Sequence, residues 1–169
     1  LNIALLDNNA EIGNGASISA NSVAVEAITP AGEENTVQSR ALAGAVSKST
    51  AVGGSVSINY IENATRARIG GASVGATGGD IDVNAGATTE LQNIAGGAGI
   101  STQGSGAGVG IAVALNIVNG QDTEALVDSD STLTASGSIG VSAESNIVPK
   151  SEELPVVGTV AVTSFAAGI

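Results

Sequence analysis

Apolar side chains alternate with small or polar ones in six short segments of the chain. These segments are 22–27, 54–60, 80–85, 110–118, 138–143 and 159–164. A period of two predicts half-buried β-strands. Turn signals rich in Gly, Pro, Asn or Asp lie at 13–15, 29–32, 77–80, 103–106 and 128–131. The best candidate for a helix, 39–48, aligns with a glycine-rich segment that would form a poor helix. The chain is therefore predicted to be all-β.

The alternation is clearest in the stretch 108–120, "GVGIAVALNIVNG". Large aliphatic side chains occupy every second position from Val109 to Ile117. We expect these large side chains to build the core and the small ones between them to permit close packing. The apolar run from Ile111 to Val118 is only eight residues long, against about 20 for a membrane-spanning helix. The chain is thus not predicted to be embedded in a membrane.

The segments also recur. Three stretches align with one another, at 10–27, 67–85 and 125–143. Three asparagines, Asn2, Asn59 and Asn116, follow one another at intervals of 57 positions. This spacing predicts a unit of about 58 residues that occurs nearly three times within a single domain, 1–169. The predicted units are 1–58, 59–115 and 116–169.

Repeated short strands with small side chains and few charges predict a parallel β-solenoid. In such a fold, equivalent residues of successive coils stack about 4.8 Å apart. Asn2, Asn59 and Asn116 would then form a ladder of hydrogen-bonded side-chain amides. Their spacing favours one wide coil per repeat, and three narrow coils of about 19 residues each are the alternative.

The composition limits the chemistry that the chain can perform. It contains one Tyr, one Phe and no Trp, Met, Cys or His, and its net charge is −11. Without His or Cys the usual general bases, nucleophile pairs and transition-metal ligands are missing. We therefore predict no enzyme activity, no catalytic residue and no cofactor. The negative charge repels phosphate backbones, which argues against binding to nucleic acid.

Few charged residues offer candidate sites. Asp122, Asp128 and Asp130 could hold calcium weakly through oxygen ligands, but a solvated acidic turn is the favoured interpretation. Arg66 and Arg68 occupy alternate positions of one predicted strand and could form a small basic patch. The glutamate pairs at 33–34 and 152–153 are interpreted as solvated loop residues.

The order "AGGAGIS…GAGVGIAVALNIVNGQDTEALV…TLTASGSIGVSAES" resembles the repeats of very large bacterial surface exoproteins. These are the filamentous-haemagglutinin-like and autotransporter-type adhesins. The resemblance covers essentially the whole chain. It implies a long β-solenoid, an extracellular or cell-surface location and a stalk-like or adhesive role. It carries no catalytic residues.

The two ends of the chain are apolar and lie at nearly the same position of the repeat. Leu1 corresponds to Leu115, and Ile169, 58 positions after Ile111, corresponds to Ile111. We expect either a cut from a longer chain or subunits that associate head to tail by strand addition. The candidate assembly ends are Leu1, Ile3, Leu5, Phe165 and Ile169. The alternative function is a module that binds a surface glycan or a protein receptor. It would use the least repeat-like segments, 28–40 and 145–156, as loops.

Overall fold

The computed structural model describes residues 1–102 and 106–150, and within these ranges the chain is all-β, without a helix. The strands are β1 (Asn2–Ile12), β2 (Ser17–Ala20), β3 (Val23–Ile28), β4 (Asn35–Ser47), β5 (Thr50–Ile69), β6 (Ser73–Ala76), β7 (Ile81–Ser101), β8 (Ala107–Val127), β9 (Thr132–Ala135) and β10 (Ile139–Pro149). The predicted strand at 159–164 and the candidate ends Phe165 and Ile169 lie outside the described residues, as does the glutamate pair at 152–153.

The strands form three parallel sheets, each built from all three repeats. Sheet I has the order β1-β5-β8, and sheet II has the order β2-β6-β9. Sheet III has the order β10-β7-β3, and β4 also pairs with β7. The strand of the middle repeat therefore lies at the centre of every sheet.

Neighbouring strands pair residues that are one whole repeat apart. Asn59 pairs with Asn2 on one side and with Asn116 on the other. In sheet III, Val83 pairs in the same way with Val25 and Val141. No strand pairing among the described residues joins positions about 19 apart. The pairing unit is therefore the wide repeat.

The first repeat contains a short insertion where β7 of the second repeat is continuous. Ile28 pairs with Gly86 and Asn35 pairs with Thr89, so six residues at 29–34 stand opposite two. The insertion forms a turn, in which the Glu33 amide donates to the Pro30 carbonyl. Gly32 has a φ of 84°, a left-handed conformation that glycine adopts without strain.

The segments predicted as binding loops contain strand residues, and residues 151–156 of the second segment lie outside the described part of the chain. Residues 35–40 belong to β4 and residues 145–149 belong to β10, and both segments pair with β7. These strand residues stay in sheet III although their sequences resemble the other repeats least. In the segment 28–40, only the turn at 29–34 lies outside a strand.

The apolar core lies where the three sheets meet. Its fully buried members come from the end of β5, from β6 and from the start of β7, and include Ile69, Val74, Ile81 and Val83. A smaller apolar cluster joins Val37, Ile61 and Leu91. These side chains are all aliphatic, as the composition requires.

The predicted orientation of the stretch 108–120 was wrong. Val109, Ile111, Val113, Leu115 and Ile117 are exposed on the outer side of sheet I. The positions between them lie on the other side of the strand, where Gly110 approaches the backbone of β7. Alternation alone cannot distinguish these two orientations, because either face of such a strand can be turned inward.

Glycines on the facing strands decide the orientation. A Cβ atom added to Gly97 of β7 would overlap the carbonyl oxygen of Ile111 and lie 2.8 Å from its nitrogen. A Cβ atom added to Gly53 of β5 would overlap the carbonyl oxygen of Ala98. The two sheets thus approach backbone to backbone in this region. The larger aliphatic side chains can only point outward.

This close approach predicts opposite effects for two glycine substitutions. Gly97→Ala should lower the free energy of unfolding by about 1–3 kcal/mol or more, since the new methyl group overlaps backbone. Gly54→Ala should be neutral or stabilise by up to about 1 kcal/mol, because its Cβ meets only ordinary contacts and glycine weakens a strand. Urea unfolding measures both. Equal effects of the two substitutions would contradict the backbone-to-backbone packing.

Candidate functional site: the polar ladder and the open strand edges

The structure places Asn2, Asn59 and Asn116 side by side across sheet I. Asn2 Nδ2 donates to Asn59 Oδ1 at 3.4 Å, and Asn59 Nδ2 donates to Asn116 Oδ1 at 2.9 Å. Asn59 is completely buried. The side-chain amides therefore form a ladder that connects all three repeats.

The ladder also joins sheet I to sheet III. Asn59 Nδ2 donates to the Gln92 carbonyl at 3.0 Å, and Asn2 Nδ2 donates to the Gln38 carbonyl at 3.2 Å. An asparagine amide carries two donor hydrogens and an acceptor oxygen. One side chain can therefore bind its neighbour along the ladder and the opposite sheet at the same time.

Further buried polar groups extend this connection between the sheets. The Ser39 and Ser57 hydroxyls lie 2.7 Å apart, and Asn63 Nδ2 donates to the Thr89 hydroxyl at 3.3 Å. The single Ser55 hydroxyl lies within hydrogen-bond distance of two carbonyls, Ala41 of β4 at 3.0 Å and Gly96 of β7 at 2.9 Å. Only the asparagine series was singled out from the sequence. The serines and threonines could have been found from their position on the same face of the strand as Asn59.

The ladder has a direction and two open ends. Each asparagine donates to the one in the following repeat. Among the described residues, Asn116 Nδ2 has no acceptor and Asn2 Oδ1 has no donor. A donor is thus left at one end of the stack and an acceptor at the other.

The backbone of β1 presents a matching open edge. The Gly70 amide donates to the Ile12 carbonyl, and backbone groups point to alternate sides along a strand. The even-numbered residues of β1 therefore bond to β5. The odd-numbered residues, including Ile3 and Leu5, direct their N–H and C=O groups away from the sheet.

The predicted basic patch is neutralised by carboxylates of neighbouring repeats. Arg66 contacts Asp122 at 3.5 Å and Glu124 at 3.3 Å. Arg68 contacts Glu11 at 3.4 Å and forms a close ion pair with Asp128. The hydrogen bond from Arg68 lowers the pKa of the Asp128 carboxyl, and the same contact raises the pKa of Arg68.

The aspartates considered for calcium do not form one cluster in the structure. Asp122 pairs with Arg66, Asp128 pairs with Arg68, and Asp130 is exposed in the turn after β8. In residues 1–102 and 106–150, no group of three or more His, Cys, Asp or Glu residues is arranged to hold a metal ion.

Glu34, interpreted from the sequence as merely solvated, takes part in a charged cluster between repeats. Its carboxyl interacts with that of Glu90, and Lys150 Nζ donates to Glu90 Oε2 at 2.9 Å. The hydrogen bond to Glu90 raises the pKa of Glu34. The pKa of Glu90 is lowered by the hydrogen bonds from Glu34 and Lys150. Of the two carboxyls, Glu34 is therefore the one that takes up a proton first as the pH falls.

A cleft of about 390 Å³ lies beside the open edge. It is lined by Leu5, Leu6, Asp7, Asn8, Ile28, Thr29, Pro30, Asn35 and Asn63. The insertion at 29–34 and the strand β1 thus form its two walls. None of the lining side chains is aromatic.

No protein-family model, curated protein or solved structure matches the chain. In the part of the chain that the structure describes, no helix is long and apolar enough to cross a membrane.

The buried position of the ladder predicts a large effect for Asn59→Ala. This change leaves the Gln92 carbonyl and the Asn116 and Asn2 amides without their partner, which should cost about 2–3 kcal/mol of the free energy of unfolding. Asn84→Ala is the matched control, since Asn84 bonds Glu26 and Ser142 in an outer ladder. It should change stability by no more than about 0.5 kcal/mol. If both variants lost the same free energy of unfolding in urea, the Asn2–Asn59–Asn116 ladder would contribute no more to stability than the outer one.

The Glu34–Glu90 contact predicts a dependence of stability on pH. A folded-state pKa of Glu34 above its ordinary value of 4.5 means that the native state holds this proton more tightly than the unfolded chain. The resulting stability is present below pH 4.5 and is lost as the pH rises through the raised value. Glu34→Gln keeps a donor to Glu90 and cannot ionise. The free energy of unfolding of this variant should thus exceed that of the wild type only slightly in acid, and by more as the pH rises above 4.5.

Urea unfolding from pH 4 to pH 7 measures this difference. Glu33→Gln is the control, because it removes the same charge from the neighbouring position. A difference that does not change with pH, or an equal gain from Glu33→Gln, would contradict the assignment.

Proposed function

We propose that the chain is a segment of a parallel β-solenoid with a structural, stalk-like or adhesive role in an extracellular filament or bacterial surface adhesin. Its activity is mechanical: it transmits load through backbone hydrogen bonds between successive repeats and offers its end strands to further repeats. The polar ladder with a donor at one end and an acceptor at the other is the observation that carries this proposal. The resemblance of the repeat to those of large surface exoproteins supports the location.

Extension would add β1 of one unit to the edge of β8 in another, which no strand of the described residues covers. In that register Asn116 Nδ2 of one unit donates to Asn2 Oδ1 of the next, so the ladder continues without a break. The outward backbone groups of Ile3 and Leu5 pair with the added strand, as in other cases of strand addition. The added unit is either a further repeat of the same parent chain or a second copy of this chain.

The cleft beside β1 favours a second candidate function, the binding of a surface glycan or a protein receptor. Asp7, Asn8 and Asn35 would supply polar contacts in the cleft. The cleft lacks the aromatic side chains that provide large contact areas at many binding sites. Retention of the purified chain on a glycan array, lost in Asn35→Ala, would support this function.

The open edge predicts that a single proline in β1 blocks head-to-tail assembly. Leu5→Pro removes an N–H that points away from β5. It therefore breaks no backbone hydrogen bond within the chain, but an added strand can no longer accept a hydrogen bond at this position. We expect fibres of the wild-type chain in electron microscopy and their loss in Leu5→Pro, with circular dichroism unchanged.

Ala31→Pro is the matched control for this experiment. Position 31 precedes Gly32 in the inserted turn, where the second turn position favours proline when the third has a positive φ. This variant should assemble like the wild type. Wild-type protein that stays monomeric at high concentration, or fibres that persist in Leu5→Pro, would overturn head-to-tail extension.

A further inference from the structure

A continuous apolar surface covers the outer side of sheet I, opposite the backbone-to-backbone contact around Gly53 and Gly97, which we call the glycine layer. We call it the outer apolar face and define it by Val52 and Val56 of β5 and Val109, Ile111, Val113 and Leu115 of β8. These side chains are between 42% and 59% exposed. They lie in paired rows because Val52 pairs with Val109 and Val56 pairs with Val113.

The fold gives these side chains no way to turn inward. The opposite side of the same strands packs on β7, where a Cβ atom at Gly97 would overlap the backbone of Ile111. A shift of the strand by one residue would place full aliphatic side chains in that space. The exposure is therefore imposed by the glycine layer and does not depend on a choice of side-chain rotamers.

The face has a protruding side chain and a notch next to each other. Ile111 pairs with Gly54, which has no side chain above the sheet and makes no close contact there. Val52 and Val56 flank this notch along β5. A second copy turned by a twofold rotation could therefore seat its Ile111 over Gly54 while receiving the other Ile111 in return, an isologous contact.

The size of the face suits such a contact. Its six side chains expose on the order of 500 Å², at the upper end of what single proteins leave uncovered. Two faces together would bury on the order of 1,000 Å², the lower limit for a specific interface between proteins. All six side chains are aliphatic, so closure leaves no charge unpaired.

Other occupants fit the chemistry less well. The net charge of −11 repels an anionic lipid surface. A glycan is usually held through aromatic and polar groups, and the six residues of the face include neither. A flat aliphatic sheet face is, by contrast, what two packed sheets present to each other.

We propose that two copies of this chain associate laterally by packing their outer apolar faces together. The strands of the two sheets would lie roughly aligned, about 10 Å apart, with Ile111 of each copy over Gly54 of the other. This surface is distinct from the strand edges used for head-to-tail extension. Lateral pairing would therefore join two stalks side by side and does not require that the ends polymerise.

Sedimentation velocity of the end-blocked Leu5→Pro protein tests the proposal, because axial growth is removed. We expect a dimer at micromolar concentrations that does not grow further. Ile111→Lys in the same background should weaken dimerisation at least tenfold, since closure would bury an unpaired ammonium group at the centre of the interface. Val113→Lys provides a second variant should Ile111→Lys fail to fold by circular dichroism.

Leu126→Lys is the matched control. Leu126 is 47% exposed on the same strand but lies away from the face, so its replacement should leave the dimer intact. A monomer over the whole concentration range, or a dimer unaffected by both lysines in the face, would overturn the proposal. Flotation of a monomeric protein with neutral phosphatidylcholine vesicles would also overturn it and identify lipid as the occupant.

Discussion

Parallel pairing between residues one whole repeat apart is the constraint on which the rest of the structure depends. It sets Asn59 between Asn2 and Asn116 and places Val83 between Val25 and Val141. Equivalent positions lie next to each other, so each side chain is adjacent to a side chain of similar type in the next repeat. Polar positions thereby become ladders and apolar positions become rows. Among the described residues, the same rule leaves backbone groups of the outermost strands without a partner strand.

The chain holds its sheets together without a large apolar core. At one end of the repeat, Ile69, Val74 and Ile81 fill the junction of three sheets. Farther along β5, Asn59 and the buried serines and threonines connect sheets I and III by hydrogen bonds. Beyond them the sheets meet backbone to backbone at glycine. Each of these three regions removes water between the sheets in a different way. Together they compensate for the scarcity of aromatic side chains, of which the chain has two.

Much of this arrangement could be predicted from the sequence. The remainder depends on contacts between residues that are far apart in the sequence, which a periodic pattern does not show. The all-β class, the repeat and the alignment of Asn2, Asn59 and Asn116 follow from spacing alone. The orientation of Val109–Ile117 did not, because a period-two pattern has two possible inner faces. It is decided by Gly53 and Gly97, which lie far apart in the sequence and meet only in the fold. The interaction of Glu34 with Glu90 was missed for the same reason, since it crosses between repeats at the insertion 29–34.

The central claim is that residues one repeat apart lie in contact, and cross-linking of engineered cysteines tests it most directly. The natural chain has no Cys, so every disulfide formed would come from the introduced pair. Glu26→Cys with Asn84→Cys, and Asn84→Cys with Ser142→Cys, occupy positions whose native side chains touch, within the reach of a disulfide. We predict rapid disulfide formation in both pairs under mild oxidation and little in Glu26→Cys with Thr88→Cys, on the same face but out of register. Equal cross-linking of the out-of-register pair, or none in the two matched pairs, would contradict the account.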